Sequence, residues 1–138
     1  MVTVPGRNGI TVAFLAELGI TIVLMGTILV VNNTRRLARY TGLFAGLLVF
    51  LFITFLAPLS GMSLNPARSF ASAYISDNWN AWWVYFTAPP LGMLIAAEAY
   101  WRLLGTGKVF CAKLHHENSY RCIFCEYQGR DTTNALRS

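Results

Sequence analysis

The 138-residue chain is too apolar for an ordinary water-soluble domain, because 55% of its residues are hydrophobic, only 12% are charged and its mean hydropathy is +0.47. The net charge of +5 is modest and its basic residues flank apolar stretches, so nucleic acid is not an expected partner. The composition predicts a membrane protein whose partner is the lipid bilayer.

Three stretches have the length of a bilayer crossing, which is about 20 residues at a rise of ~1.5 Å each. They cover residues 10–31, 40–59 and 81–101. Glu17 is the single charged residue of the first stretch and Glu98 of the third, whereas the second has none. We therefore predict three transmembrane helices.

The distribution of basic residues orients these spans. Arginines cluster between the first two spans and basic residues follow the third: Arg35, Arg36, Arg39, Arg102, Lys108 and Lys113. Lysine and arginine accumulate on the cytoplasmic side, so we predict a multi-pass protein of the cell membrane with its N-terminus outside and its tail cytoplasmic. The first apolar run is too long for a cleavable signal peptide.

Two further patterns concern the surfaces of the spans. Aromatic residues at the start of the third span are predicted to lie in the outer headgroup layer: Trp79, Trp82, Trp83 and Tyr85. Small residues recur at four-residue intervals in the second and third spans: Gly42, Gly46, Ala88, Gly92 and Ala96. Such stripes allow helix backbones to approach closely, either within one bundle or between subunits.

The segment between the second and third spans predicts a short helix over residues 66–75, about ten residues or ~15 Å long, which is half of the bilayer core. Asn65 is a favoured N-cap and Pro66 suits the first helical position. If the helix folds back into the membrane, its free N–H groups and Arg68 create a positive field near the midplane. That field would bind water or small polar solutes and repel cations. The alternative is an interfacial helix in an outer loop, with Arg68 simply solvated.

Three segments together resemble the second half of an aquaporin, of the major intrinsic protein family: ELGITIVLMG from Glu17, SGMSLNPARSFASA from Ser60 and APPLGMLIAAEAY from Ala88. The sequences match in register over roughly residues 3–104, and we assign residues 1–104 to this aquaporin-like repeat. It implies an all-α membrane protein with three transmembrane helices and one re-entrant half-helix, which is half of an inverted-repeat bundle. It also implies a passive channel, or pore half, for water or small neutral solutes that excludes ions, and no enzyme activity or cofactor.

The resemblance also implies roles for individual residues of the Asn-Pro-Ala-Arg box. Asn65 would donate its side-chain amide to a single file of solute, while Pro66 and Ala67 shape the meeting of two half-helices. Arg68 would be the arginine of the narrowest constriction. Backbone carbonyls of the preceding loop would line the path: Gly61, Met62 and Ser63.

Glu17 would be the buried glutamate that holds this loop by hydrogen bonds. The alternative for Glu17 is a charge near the outer interface.

Differences from the family pattern bear on selectivity and completeness. Ile53 occupies a position where water-specific members usually have a histidine, which implies a wider or less polar filter. Ser69 follows the arginine where glycerol-conducting members have aspartate. The chain has one Asn-Pro-Ala box and about half of the expected spans, so a first-repeat half or a homo-oligomer, a tetramer in the family, is the expected partner.

The tail, residues 105–138, contains all three cysteines and both histidines of the chain. Their types and spacing, above all Cys122-x-x-Cys125, are compatible with a Cys3His zinc site. Its ligands would be Cys111, His115 or His116, Cys122 and Cys125. The alternative is a reduced cytoplasmic tail that lies on the membrane or on the bundle. Two other functions therefore stay open, namely a membrane-anchored metal-binding or interaction module and a non-conducting truncated channel fragment.

Overall fold

A computed structural model describes residues 3–34 and 36–105. In this part of the chain four α-helices follow one another: α1 (Ile10–Asn32), α2 (Thr41–Ser60), α3 (Pro66–Ser76) and α4 (Trp82–Leu104). A short 3-10 helix, Ala38–Tyr40, precedes α2, and these residues contain no β-strand. The three long helices lie at the predicted spans, and α3 lies at the predicted short helix.

The two most apolar segments contain α1 and α2. Ile10–Asn32 and Ala38–Ser60 each have 23 residues, with mean hydropathies of 2.3 and 2.4, and are long and apolar enough to cross a membrane. The third predicted span, α4, also has 23 residues but is less apolar. The described residues thus form an all-helical chain with two segments that meet this measure of a membrane span.

The packing core of the fold is the seam between α1 and α4. On α4 the predicted stripe of small residues, Ala88, Gly92 and Ala96, is buried. A Cβ atom built on Gly92 would lie 2.0 Å from the Thr21 hydroxyl oxygen and 2.7 Å from the Leu18 carbonyl oxygen. Only glycine permits so close an approach of the two backbones, so this stripe makes contacts within the bundle.

The other predicted stripe, on α2, makes no comparable contact. Apart from their own helix backbone, built Cβ atoms on Gly42 and Gly46 have no atom within 4 Å among the described residues. Ser60 is the one buried residue of α2, at its C-terminal end. Most of the apolar surface of α2 therefore faces away from the rest of the described chain.

The segment before α1 lies across the connection between α2 and α3. The Gly6 amide donates a hydrogen bond to the Leu59 carbonyl at 3.0 Å, and the Thr3 amide donates one to the Ser72 hydroxyl at 3.3 Å. A Cβ on Gly61 would lie 2.7 Å from the Val4 carbonyl oxygen. The amino-terminal segment thus covers one side of the α2–α3 loop.

Candidate functional site

The loop between α2 and α3, residues 61–65, has an unusual backbone. Gly61 ends α2 in the left-handed region, with φ 74°, and its amide donates to the Ala57 carbonyl at 2.8 Å. Met62 and Leu64 also have positive φ, 45° and 56°, which L-residues with side chains rarely adopt. Backbone of this kind persists when surrounding contacts hold it in place.

Glu17 provides those contacts from α1. Its side chain is fully buried, and its carboxylate accepts hydrogen bonds from the Ser63 amide at 2.8 Å, the Leu64 amide at 3.0 Å and the Ser60 hydroxyl at 2.8 Å. Hydrogen bonds to an ionised acceptor are stronger than those between neutral groups. In the described structure Glu17 is thus not an exposed interfacial charge but the acceptor that fixes the loop.

Asn65 and Pro66 start α3 as the sequence predicts. The Asn65 side-chain oxygen accepts a hydrogen bond from the Ala67 amide at 2.9 Å, and Pro66 occupies the first turn. This N-cap bond uses the oxygen of the Asn65 side chain, so its NH₂ group points to the other side. Asn65 and Ala67 are exposed and Pro66 is partly exposed, and the amide of Asn65 is thus available as a donor at the amino end of the helix.

Arg68 lies in the first turn of α3 and is exposed. Its guanidinium donates a hydrogen bond from Nη1 to the Met62 carbonyl oxygen at 3.2 Å. One N–H group of the planar guanidinium therefore fixes the side chain against the loop, and the remaining N–H groups are available to donate hydrogen bonds. The positive end of the α3 dipole adds to the charge at the same place.

Two serine hydroxyls connect the loop to α3. The Ser63 hydroxyl donates to the Asn65 carbonyl oxygen at 2.8 Å and forms a short hydrogen bond with the Ser69 hydroxyl. Both side chains are buried. Ser69, which the sequence suggested only as a selectivity position, also has a structural role behind Arg68.

The remaining predicted pore residues have different surroundings. The Met62 side chain is buried and Ser63 is 2% exposed, while Gly61 is partly exposed. Ile53 lies on α2 with 49% of its surface exposed. The structure therefore brings Glu17, Asn65 and Arg68 together around one loop, and Ile53 lies exposed on α2.

Tyr85 differs from the sequence prediction. The sequence predicts it in the outer headgroup layer with three tryptophans, but its side chain is fully buried and its hydroxyl donates to the Ser60 carbonyl at 2.6 Å. Trp79, Trp82 and Trp83 are exposed. The helical spacing indicates this burial. Tyr85 precedes the small-residue stripe of α4 by three residues and therefore lies on the same face of the helix.

The predicted metal ligands lie outside the described residues: Cys111, His115, His116, Cys122 and Cys125. Among residues 3–34 and 36–105, no group of three or more His, Cys, Asp or Glu side chains is arranged to hold a metal ion. The site around α3 presents an arginine, a side-chain amide and backbone carbonyls, which are groups able to form hydrogen bonds with polar molecules.

Comparison with known proteins identifies the family of the chain. Residues 2–100 match the family model described as Major intrinsic protein, and the chain belongs to the major intrinsic protein family. It is thus an integral membrane protein. Members of this family are channels rather than enzymes, and they need no cofactor.

Three plant proteins illustrate the similarity. The chain is 39% identical over 100 residues to Aquaporin NIP6-1 of Arabidopsis thaliana, with 72% of this chain and 32% of that protein covered. It is 34% identical over 108 residues to Probable aquaporin NIP-type of Nicotiana alata, with 77% and 39% covered. It is 31% identical over 99 residues to Nodulin-26 of Glycine max, with 71% and 36% covered. The chain spans about a third of the length of these curated relatives.

Proposed function

We propose that the chain forms one half of a passive membrane pore for water or small neutral solutes. The observation that carries the proposal is the polar amino end of α3. The exposed Asn65 amide and Arg68 guanidinium both lie at this end, and Glu17 holds the preceding loop through hydrogen bonds from two of its backbone amides. An anchor for a separate domain has no need of such an end, whereas a solute path needs fixed donors and acceptors.

In this proposal α1, α2 and α4 cross the bilayer and α3 is a re-entrant half-helix. Its 11 residues span ~16 Å, so its amino end reaches the midplane of a ~30 Å hydrocarbon core from the outer side. The N-terminus lies outside and the tail is cytoplasmic, as the arginines before α2 indicate. Irregular backbone at this depth requires burial in protein or a water-filled path, and the 61–65 loop meets that condition beside a pore.

Each residue of the site has a role in the path. Asn65 donates its amide to the passing solute, and Pro66 and Ala67 shape the contact with a second half-helix. Arg68 forms the constriction and repels cations and protons by its charge. Carbonyl oxygens of the loop residues accept hydrogen bonds from the solute: Gly61, Met62 and Ser63. Ile53 would make the filter less polar than a histidine would.

The path through the membrane needs a second half-helix from the opposite side. The polar end of α3 reaches only the midplane, and unpaired N–H groups in contact with lipid cost several kcal/mol each. A second copy of this chain has the same charge bias and the same orientation, so its half-helix also enters from the outer side. The partner is therefore a first-repeat half of the same family, on the same polypeptide or another, and complete pores would assemble as tetramers.

Stopped-flow shrinkage of proteoliposomes tests this proposal. We expect the 138-residue chain alone to raise water permeability little, and co-expression with a first-repeat half to restore rapid shrinkage. An unrelated three-span protein in place of the first-repeat half is the control for nonspecific leakage. Rapid water flux through the chain alone, or no flux with the family partner, would contradict the proposal.

A further inference from the structure

Tyr85 makes a contact that the resemblance to a channel does not account for. It is fully buried on α4, and its hydroxyl donates a 2.6 Å hydrogen bond to the carbonyl oxygen of Ser60, the last residue of α2. Carbonyl groups in the last turn of a helix lack a partner within the helix. Tyr85 supplies that partner and thereby connects α4 to the start of the loop.

Ser60 joins this contact to two others. Its hydroxyl donates to a Glu17 carboxylate oxygen at 2.8 Å and accepts a hydrogen bond from the Met62 amide at 3.1 Å. Ser60 is fully buried, so these bonds form in a water-poor environment where each is costly to lose. One residue therefore connects α4, α1 and the loop.

The Ser60 contacts act on the Met62 carbonyl together with Glu17. The Met62 amide is bound to Ser60, and its carbonyl accepts the hydrogen bond from Arg68. Because the φ of Met62, 45°, lies in a region that is unfavourable for a residue with a side chain, the orientation of its carbonyl depends on surrounding bonds. These are the bond of the Met62 amide to Ser60 and the bond to Glu17 from the Ser63 amide, which belongs to the same peptide group as the carbonyl. A displacement of Ser60 would therefore move the acceptor that holds Arg68.

We propose that Tyr85 is a positioning residue for Arg68, which acts through Ser60 and the Met62 peptide. The inference rests on the proposed function in one respect, namely that Arg68 lines the solute path. Tyr85 touches no solute in this arrangement. It fixes the loop from α4 while Glu17 fixes it from α1.

The test compares Tyr85→Phe with Tyr100→Phe in the full chain in detergent, by hydrogen–deuterium exchange. Both tyrosines are buried on α4, but the Tyr100 hydroxyl makes no hydrogen bond within residues 3–34 and 36–105. Tyr85→Phe keeps the ring and removes the hydroxyl. We expect about five- to tenfold faster exchange of the Ser63 and Leu64 amides in Tyr85→Phe, with α1 unchanged, and no effect of Tyr100→Phe.

Permeation separates this inference from the proposed function. In vesicles that also contain a first-repeat half, Tyr85→Phe should raise proton permeation relative to water permeation, in the same direction as Arg68→Val. Unchanged loop exchange, equal acceleration in α1, or failure of Tyr85→Phe to fold would overturn the positioning role. Faster exchange confined to the loop, with no water flux in either protein, would support the positioning role and overturn the proposed function instead.

Discussion

The carboxylate of Glu17 and the backbone amide of Ser63 are 46 positions apart in the chain and joined by a 2.8 Å hydrogen bond. This bond ties the middle of α1 to the loop before α3. The same carboxylate accepts a hydrogen bond from the next amide, that of Leu64, at 3.0 Å. Two consecutive amides that share one carboxylate hold the loop in place directly before α3, where Met62 and Leu64 have positive φ.

Glu17→Gln is expected to destabilise the fold by about 2–4 kcal/mol. An amide has one acceptor oxygen instead of two, so its NH₂ group would face a backbone N–H and leave that donor unsatisfied. Apparent thermal midpoints of the purified chain in detergent provide the measurement. Glu98→Gln is the matched control, because Glu98 forms an exposed i,i+4 pair with Arg102 and its loss should cost about 0.5 kcal/mol or less. Equal effects of the two substitutions would contradict the role of Glu17.

Gly92→Ala should destabilise the α1–α4 seam by about 1–3 kcal/mol, because the new methyl group would overlap with Thr21. Thr21 cannot easily turn away, since its hydroxyl donates to the Glu17 and Leu18 carbonyls at 2.7 and 3.0 Å. The measurement is again thermal unfolding in detergent.

Gly46→Ala is the control for this substitution, because its built Cβ atom has no neighbour within 4 Å in the described chain. Alanine has a higher helix propensity than glycine, so this change should be neutral or stabilising by up to about 1 kcal/mol. A Gly92→Ala protein as stable as Gly46→Ala would show that the seam is looser than described.

Arg68→Val is expected to increase proton permeation relative to water permeation, because it removes the fixed positive charge at the amino end of α3. Proton flux and water flux would be measured in the same vesicles, with the first-repeat half present. Arg68→Lys keeps the positive charge but lacks the planar guanidinium, so it should exclude protons better than Arg68→Val. Proton exclusion that survives in the valine variant would refute the role of Arg68.

The cysteine-containing tail allows a separate prediction, which follows from the spacing of Cys122 and Cys125 and the nearby histidines. The zinc-site alternative predicts about one zinc ion in the purified chain, and its loss in Cys122→Ser. Metal analysis by mass spectrometry decides the question, with a chain truncated after residue 105 as the control. A trace of zinc that is insensitive to Cys122→Ser would favour a tail that lies on the membrane or on the bundle.

Local chemistry was sufficient to predict the helices from the sequence. The long apolar runs fixed the positions of α1, α2 and α4, and the Asn65–Pro66 pair fixed the start of α3, because an N-cap followed by proline determines backbone geometry within a few residues. The role of Glu17 in holding the loop was predicted from the family resemblance, because no local sequence pattern relates Glu17 to Ser63.

Only the tertiary structure distinguished residues that look alike along the chain. Gly46 and Gly92 occur in similar small-residue stripes, yet Gly92 lies against Thr21 and Gly46 faces no described neighbour. Tyr85 looked like one more aromatic residue of the outer interface, but it is buried and bonded to Ser60. Such contacts depend on how helices rotate and cross, which a periodic sequence pattern leaves undetermined because several faces of an apolar helix are equally able to pack.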